Sequence, residues 1–184
     1  MPSWEILSRR TVYDSDWVRV QQLDISLPDG NVGHGWHLID YPRQAAGIVP
    51  IGDDGRILMI RQYRFTTGQE SWETPGGRFE ADESGVQAAH RELREETGYD
   101  AGKIEFVGKF FPSCGSSNQV FNVFVARDLK HVSHATDANE TISLRWFTPA
   151  EIRGMIQRNE VVEGMTLTAL LWVLSNSAGD FLEI

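Results

Sequence analysis

Apolar and polar positions alternate through much of the first 45 residues, where Val12, Val18, Val20, Leu23, Ile25 and Leu27 stand among polar neighbours. That alternation, rich in β-branched side chains, predicts strands with one covered face. Pro28-Asp29-Gly30-Asn31 is a turn, and Gly35-Trp36-His37-Leu38-Ile39 supplies the returning strand of a small antiparallel sheet. Apolar runs 45–51 and 56–61 flank Gly52-Asp53-Asp54-Gly55 and read as a buried hairpin. Residues 68–77 look like loop. From Glu83 to Thr97 the period changes: Val86, Ala89, Leu93 and Thr97 recur at helical spacing, and Gly98 stands where a left-handed cap belongs. Strands follow at 104–111, 120–126 and 143–147. Thr148-Pro149-Ala150-Glu151 has the form of a capping box, and a last helix spans about 166–174. Strands and helices intermix, which predicts an α+β chain, a mixed sheet with helices on both faces. The division expected is 1–43 as an N-terminal sheet and 44–184 as the main domain.

The chain has 184 residues, enough to bury a core without disulfides or a structural metal. A formal charge of -9 argues against a basic groove for nucleic acid, although a divalent cation can invert the local charge and admit phosphates. The single cysteine, Cys114, excludes an intrachain disulfide framework and a multi-cysteine zinc site. No apolar run approaches the ~18–20 residues of a membrane span. The polar N-terminus lacks a signal-peptide core. Together these point to the cytoplasm, with no membrane partner.

Chemistry concentrates on the helix from Glu83. Glu92 and Glu96 are four residues apart and Glu95 lies beside them, on a face next to the apolar stripe. Like charges at this spacing repel. Pairing with Arg91 and Arg94 on a solvated face is one remedy, and a hard divalent cation bound by carboxylate oxygens is another.

The order of the segment decides between them. Gly77, Glu83, Arg91, Glu92, Leu93, Glu95, Glu96 and Gly98 resemble the Nudix box, G-x5-E-x7-R-E-U-x-E-E-x-G-U, with Tyr99 an aromatic stand-in at the final apolar position. The resemblance implies a Nudix fold, an α/β/α sandwich, and Mg²⁺ (or Mn²⁺) held by Glu92, Glu96 and the Gly76 carbonyl, with Glu95 ligating or just outside. Arg91 and Glu83 then shape the site. Arg61-Gln62-Tyr63-Arg64 and Trp72-Glu73-Thr74-Pro75-Gly76-Gly77 are similar to segments of ADP-ribose and ADP-sugar pyrophosphatases, as is the two-stranded element upstream. That subfamily exchanges its N-terminal sheet between two subunits, which implies a homodimer.

By the same resemblance Trp17 and Trp36 clamp the base, against the alternative that they are packing. Arg64 reaches a phosphate or forms an ion pair. Glu73 takes a ribose hydroxyl or pairs with Arg64. A loop carboxylate assists the attacking water, with Glu140 first and Asp137 in reserve. The reaction expected is Mg²⁺-dependent cleavage of a nucleoside diphosphate sugar, ADP-ribose foremost, to AMP and ribose 5-phosphate. GDP-mannose, FAD, NADH or a damaged triphosphate are alternatives, as is a non-catalytic nucleotide-sugar regulator. One departure concerns the loop Ser113-Cys114-Gly115-Ser116-Ser117-Asn118-Gln119, where many bacterial members carry S-P-G-x-S-x-E: Cys114 and Gln119 replace proline and an acid.

Overall fold

The computed structural model describes residues 4–135 and 141–175. The chain divides into two units, 1–44 with 111–120, and 45–110 with 121–184.

The first unit is a three-stranded antiparallel sheet of β1 (Glu5–Asp14), β2 (Arg19–Ser26) and β3 (Val32–Asp40), in that order. It has one strand more than the two-stranded element anticipated. Leu23 and Ile25 of β2 are buried, whereas β1 is exposed along its whole length, Ile6, Leu7, Val12 and Tyr13 included. The 111–120 loop lies along β3. Ile39 N–H donates to the Ser116 carbonyl at 2.8 Å, Tyr41 N–H donates to Asn118 Oδ1 at 2.7 Å, and the Asn118 amide reaches Asp40. Cys114 is exposed on this loop.

In the second unit β4 (Ala45–Pro50), β7 (Gly76–Arg78), β8 (Tyr99–Phe110) and β9 (Phe121–His131) form a mixed sheet in the order β7-β4-β9-β8. β5 (Ile57–Arg64), β6 (Gln69–Glu73) and β10 (Thr141–Phe147) form a second, antiparallel sheet in the order β10-β5-β6. Helices α1 (Gly85–Thr97), α2 (Pro149–Gln157) and α3 (Gly164–Ser175) complete it. Successive strand side chains point to opposite faces, and here both faces are covered. Ala46 and Ile48 of β4, with Phe124 and Ala126 of β9, meet Ala88, Ala89 and Leu93 of α1. Val49, Val123 and Val125 instead join Ile152 of α2 and Ala169 and Leu170 of α3. Each helix layer thus takes alternate residues of the same strands, and the chain has the expected α+β sandwich.

Three local expectations change. The 45–51 and 56–61 runs are strands, but not a hairpin with each other. Beyond one bridge, Ile51 to Ile57, they part, because β4 already has β9 on one side and β7 on the other. Residues 68–77 are largely β6 and β7 rather than loop, and polar Ser71 and Glu73 are buried there. On α1 the buried face runs through Ala88, Ala89, Glu92, Leu93, Glu96 and Thr97, while Val86 is exposed. Two box glutamates therefore lie on the buried face, not beside it. α1 starts at Gly85 behind the Ser84–Gln87 capping box and stops at Gly98, whose φ of 74° suits glycine. Thr148 and Glu151 form the capping box of α2 as their order implies.

Candidate active site

α1 presents its glutamates to β7 and β5. Glu96 is buried, and both its oxygens accept from uncharged donors: Gly76 N–H to Oε2 at 2.7 Å and Gln62 Nε2 to Oε1 at 3.0 Å. Glu92 is buried beside Gly77, with only a glycine's hydrogens between its carboxylate and the β7 backbone: a Cβ at position 77 would lie 2.6 Å from Glu92 Cδ. Glu95 is about half exposed.

Arg91 ties this cluster together. Its Nε and Nη2 make a two-pronged bond to Glu83 at 2.9 Å each, Nη2 also donates to the Arg78 carbonyl at 3.0 Å, and Nη1 reaches Glu92 at 2.7 Å and Glu95 at 3.1 Å. The fork matches carboxylate geometry and always carries charge. The bond from Arg91 holds the Glu83 carboxyl below the usual range. Burial pushes Glu92 up despite Arg91, and the neighbouring charges of Glu95 and Glu83 push it further. Arg94 takes no part, turning to Asp100 at 2.6 Å.

A third buried acid, Glu73 at the end of β6, is paired with Arg64 of β5, Nε to Oε2 at 3.1 Å and Nη2 to Oε2 at 2.6 Å. Burial raises the Glu73 carboxyl against the pull of Arg64. Burial pulls Arg64 down, but the Glu73 bond and the charges of Glu73, Glu163 and Glu96 carry it upward overall. The loop between Glu73 and Gly76 is pinned from α3, where Thr166 Oγ1 accepts from Thr74 N–H at 3.0 Å. Glu163 in turn caps α3 through Met165 and Thr166 N–H at 2.9 and 2.7 Å.

The second unit thus brings Gly76, Glu92, Glu95 and Glu96 into one neighbourhood, and pairs Arg64 with Glu73. In the first unit Trp36 of β3 meets Trp4 edge to face at 6.0 Å, and Trp17 projects from the β1–β2 connection, 67% exposed. Glu140 and Asp137 lie outside the described residues.

The donors around α1 are hard oxygens on buried carboxylates, the chemistry a divalent cation such as Mg²⁺ prefers. Glu92 is raised by burial, so its charge is incompletely offset by the protein, and a cation there lowers that cost. Among the described residues no three acidic, histidine or cysteine side chains stand ready as a ligand cluster. Glu92 and Glu95 are instead turned onto Arg91. The donor set fits the ion, with Arg91 as the present counter-charge.

Residues 41–165 match the NUDIX domain model. The chain belongs to the Nudix family. Residues 4–34 of this Nudix hydrolase also match the nucleoside diphosphate sugar hydrolase N-terminal domain. The chain is 32% identical over 181 residues to an ADP-ribose pyrophosphatase of Mycobacterium tuberculosis (strain ATCC 25618 / H37Rv), covering 96% of this chain and 86% of that one. It is 30% identical over 171 residues to the ADP compounds hydrolase NudE of Escherichia coli (strain K12), covering 91% and 90%. A crystal structure of an ADP compounds hydrolase superposes with a TM-score of 0.83 at 27% identity, covering 94% of this chain and 92% of that one.

Gln62 lies within Arg61-Gln62-Tyr63-Arg64, but sequence order alone does not mark it as a site residue. Its signal is a polar residue two places beyond the apolar run Ile57–Ile60, whose four side chains are core.

Proposed function

We propose that this Nudix hydrolase cleaves the pyrophosphate of an ADP-linked sugar, ADP-ribose first, with Mg²⁺ as cofactor. The observation that carries the reading is the buried Glu92–Glu96 pair on α1, whose carboxylates face β7 and the Gly76 peptide. Glu92, Glu96 and the Gly76 carbonyl hold the ion, and Glu95 assists. When bound, Mg²⁺ supplies positive charge that offsets the diphosphate and favours attack of water on phosphorus.

The chain's own residues do the rest. Arg91 gathers Glu83, Glu92 and Glu95, so that the acids are poised without collapsing helix α1 by mutual repulsion. Arg64, its fork set by Glu73, binds a phosphate oxygen. Glu140 accepts the proton of the attacking water, as the resemblance implies. The phosphorus–oxygen bond to the bridging oxygen breaks, leaving AMP and ribose 5-phosphate. Trp17 and Trp36 stack on the base; both indoles are exposed, at 67% and 48%.

The working form is a homodimer. β1 leaves Ile6, Leu7, Val12 and Tyr13 exposed along an edge strand, and an edge of this kind is normally paired or covered. The lone exposed thiol suits a reducing cytoplasm.

The test is a Mg²⁺ assay over ADP-ribose, GDP-mannose, FAD and NADH, with light scattering on the same sample. AMP release fastest from ADP-ribose, by a species of twice the chain mass, is the result expected. Faster cleavage of GDP-mannose overturns the adenine preference, and no cleavage of any of the four overturns the reading.

A further inference from the structure

The glutamates of α1 are held in two different ways. Glu92 and Glu95 face a guanidinium that offers charge. Glu96 accepts from two neutral donors, one on each oxygen. One donor is backbone and comes with the fold. The other is the side-chain amide of Gln62, itself 1% exposed, reaching across from β5.

Chemistry selects glutamine at this place. A lysine or arginine would bind Glu96 more tightly but would put a positive charge where a cation is to sit. Leucine would fill the volume and leave Glu96 with one donor fewer. A glutamate would set two buried like charges about 3.0 Å apart. A neutral amide fixes the carboxylate rotamer and leaves its negative charge undiminished. The amide orientation follows from its partner: turned over, Gln62 Oε1 would face a carboxylate oxygen. As placed, that Oε1 is buried and without a hydrogen-bond partner. An orphaned buried acceptor costs about 1–3 kcal/mol. An apolar side chain would avoid that cost but would leave the buried Glu96 carboxylate one donor short, so the amide accepts an orphaned oxygen of its own in order to hold Glu96.

We infer that Gln62 is a positioning residue for metal binding: its amide holds Glu96 in the orientation in which that carboxylate takes a divalent cation. The inference rests on the proposed function, and it adds a residue outside the box to the apparatus that loads the ion.

The test is Mn²⁺ binding to the free enzyme, followed by the loss of the free-ion electron paramagnetic resonance signal, for wild type and Gln62→Met. Methionine keeps the length and removes the donor. Residues that orient metal ligands typically govern 10- to 100-fold in affinity, so the dissociation constant should rise by about that factor. KM for ADP-ribose at saturating Mn²⁺ should change little, and much of kcat should return there. An unchanged Mn²⁺ constant in a Gln62→Met protein with wild-type circular dichroism overturns the inference while the function stands. A wild type that binds no Mn²⁺ overturns both. Should Gln62→Met fail to fold, the wild type carries the test: the Gln62 side-chain amide, followed by nitrogen-15 NMR, should shift and saturate with added Mg²⁺. An amide that stays fixed through saturation overturns the inference.

Discussion

Gly77→Ala should separate catalysis from stability. Position 77 has an ordinary backbone, since Gly77 is not among the residues with positive φ, so alanine is allowed there. The new Cβ would lie 2.6 Å from Glu92 Cδ and 2.7 Å from Oε2, against the 3.4 Å at which ordinary contact begins. Oε1 lies nearer still, so the carboxylate must retreat by about 1 Å. It sits at the end of a side chain and can do so without moving the helix. Misplacing a reacting group by about 1 Å can cost on the order of 10²-fold in rate. Folding should change by less than about 1 kcal/mol, because alanine also stiffens the unfolded chain by ~0.4–1 kcal/mol.

The neighbouring Gly76→Ala is the control. There the Cβ would run into the Ala46 carbonyl and lie 3.0 Å from Gly47 Cα, all backbone of β4. Overpacking of that kind costs ~1–3 kcal/mol, about 2–12 °C in melting temperature for a chain of this size. The assays are AMP release from ADP-ribose and thermal melts followed by circular dichroism. Wild-type kcat/KM in Gly77→Ala, or a melting point as low as that of Gly76→Ala, would refute the placement of Glu92 against β7.

Two further outcomes follow from the same geometry. Glu83 is held below its usual range by Arg91, so its stabilisation is complete above the unfolded value of ~4.3 and is lost as pH falls through the lower folded value. Melting curves of wild type and Glu83→Gln should therefore differ at pH 7 and draw together as pH falls below ~4.3; a gap that does not shrink on acidification contradicts the pairing. Trp17→Ala and Trp36→Ala should raise KM for ADP-ribose by about 5- to 100-fold, from ~1–3 kcal/mol per stacked base, with kcat less affected. Unchanged KM in both places the base elsewhere.

The parts legible in the sequence are those written in local order. The capping box at Thr148 and the stop at Gly98 depend on residues three or four apart, and both stand where the sequence puts them. The box order fixed the family and the helix. What stayed hidden depends on neighbours distant in the chain. Nothing between residues 45 and 61 says that β4 will find β9 and β7 before β5 can pair with it. The burial of Glu92 and Glu96 could not be read from charge, because hydropathy places glutamate outside. It follows from Ala88, Ala89 and Leu93 packing on β4 and β9, which turns the carboxylates inward toward β7 and β5. Arg64 and Glu73 each admit two roles from sequence; the structure joins them to each other, and that pair is buried on the glutamate side.

The central claim is that buried carboxylates on α1 carry a metal-dependent hydrolysis. Glu96→Gln tests it most directly: the shape is kept, the Gly76 and Gln62 contacts lose a charged acceptor, and one ligand charge disappears. With ADP-ribose and saturating Mg²⁺, AMP release should fall by ~10²-fold or more, while circular dichroism without metal stays that of the wild type. AMP release at the wild-type rate would contradict the account.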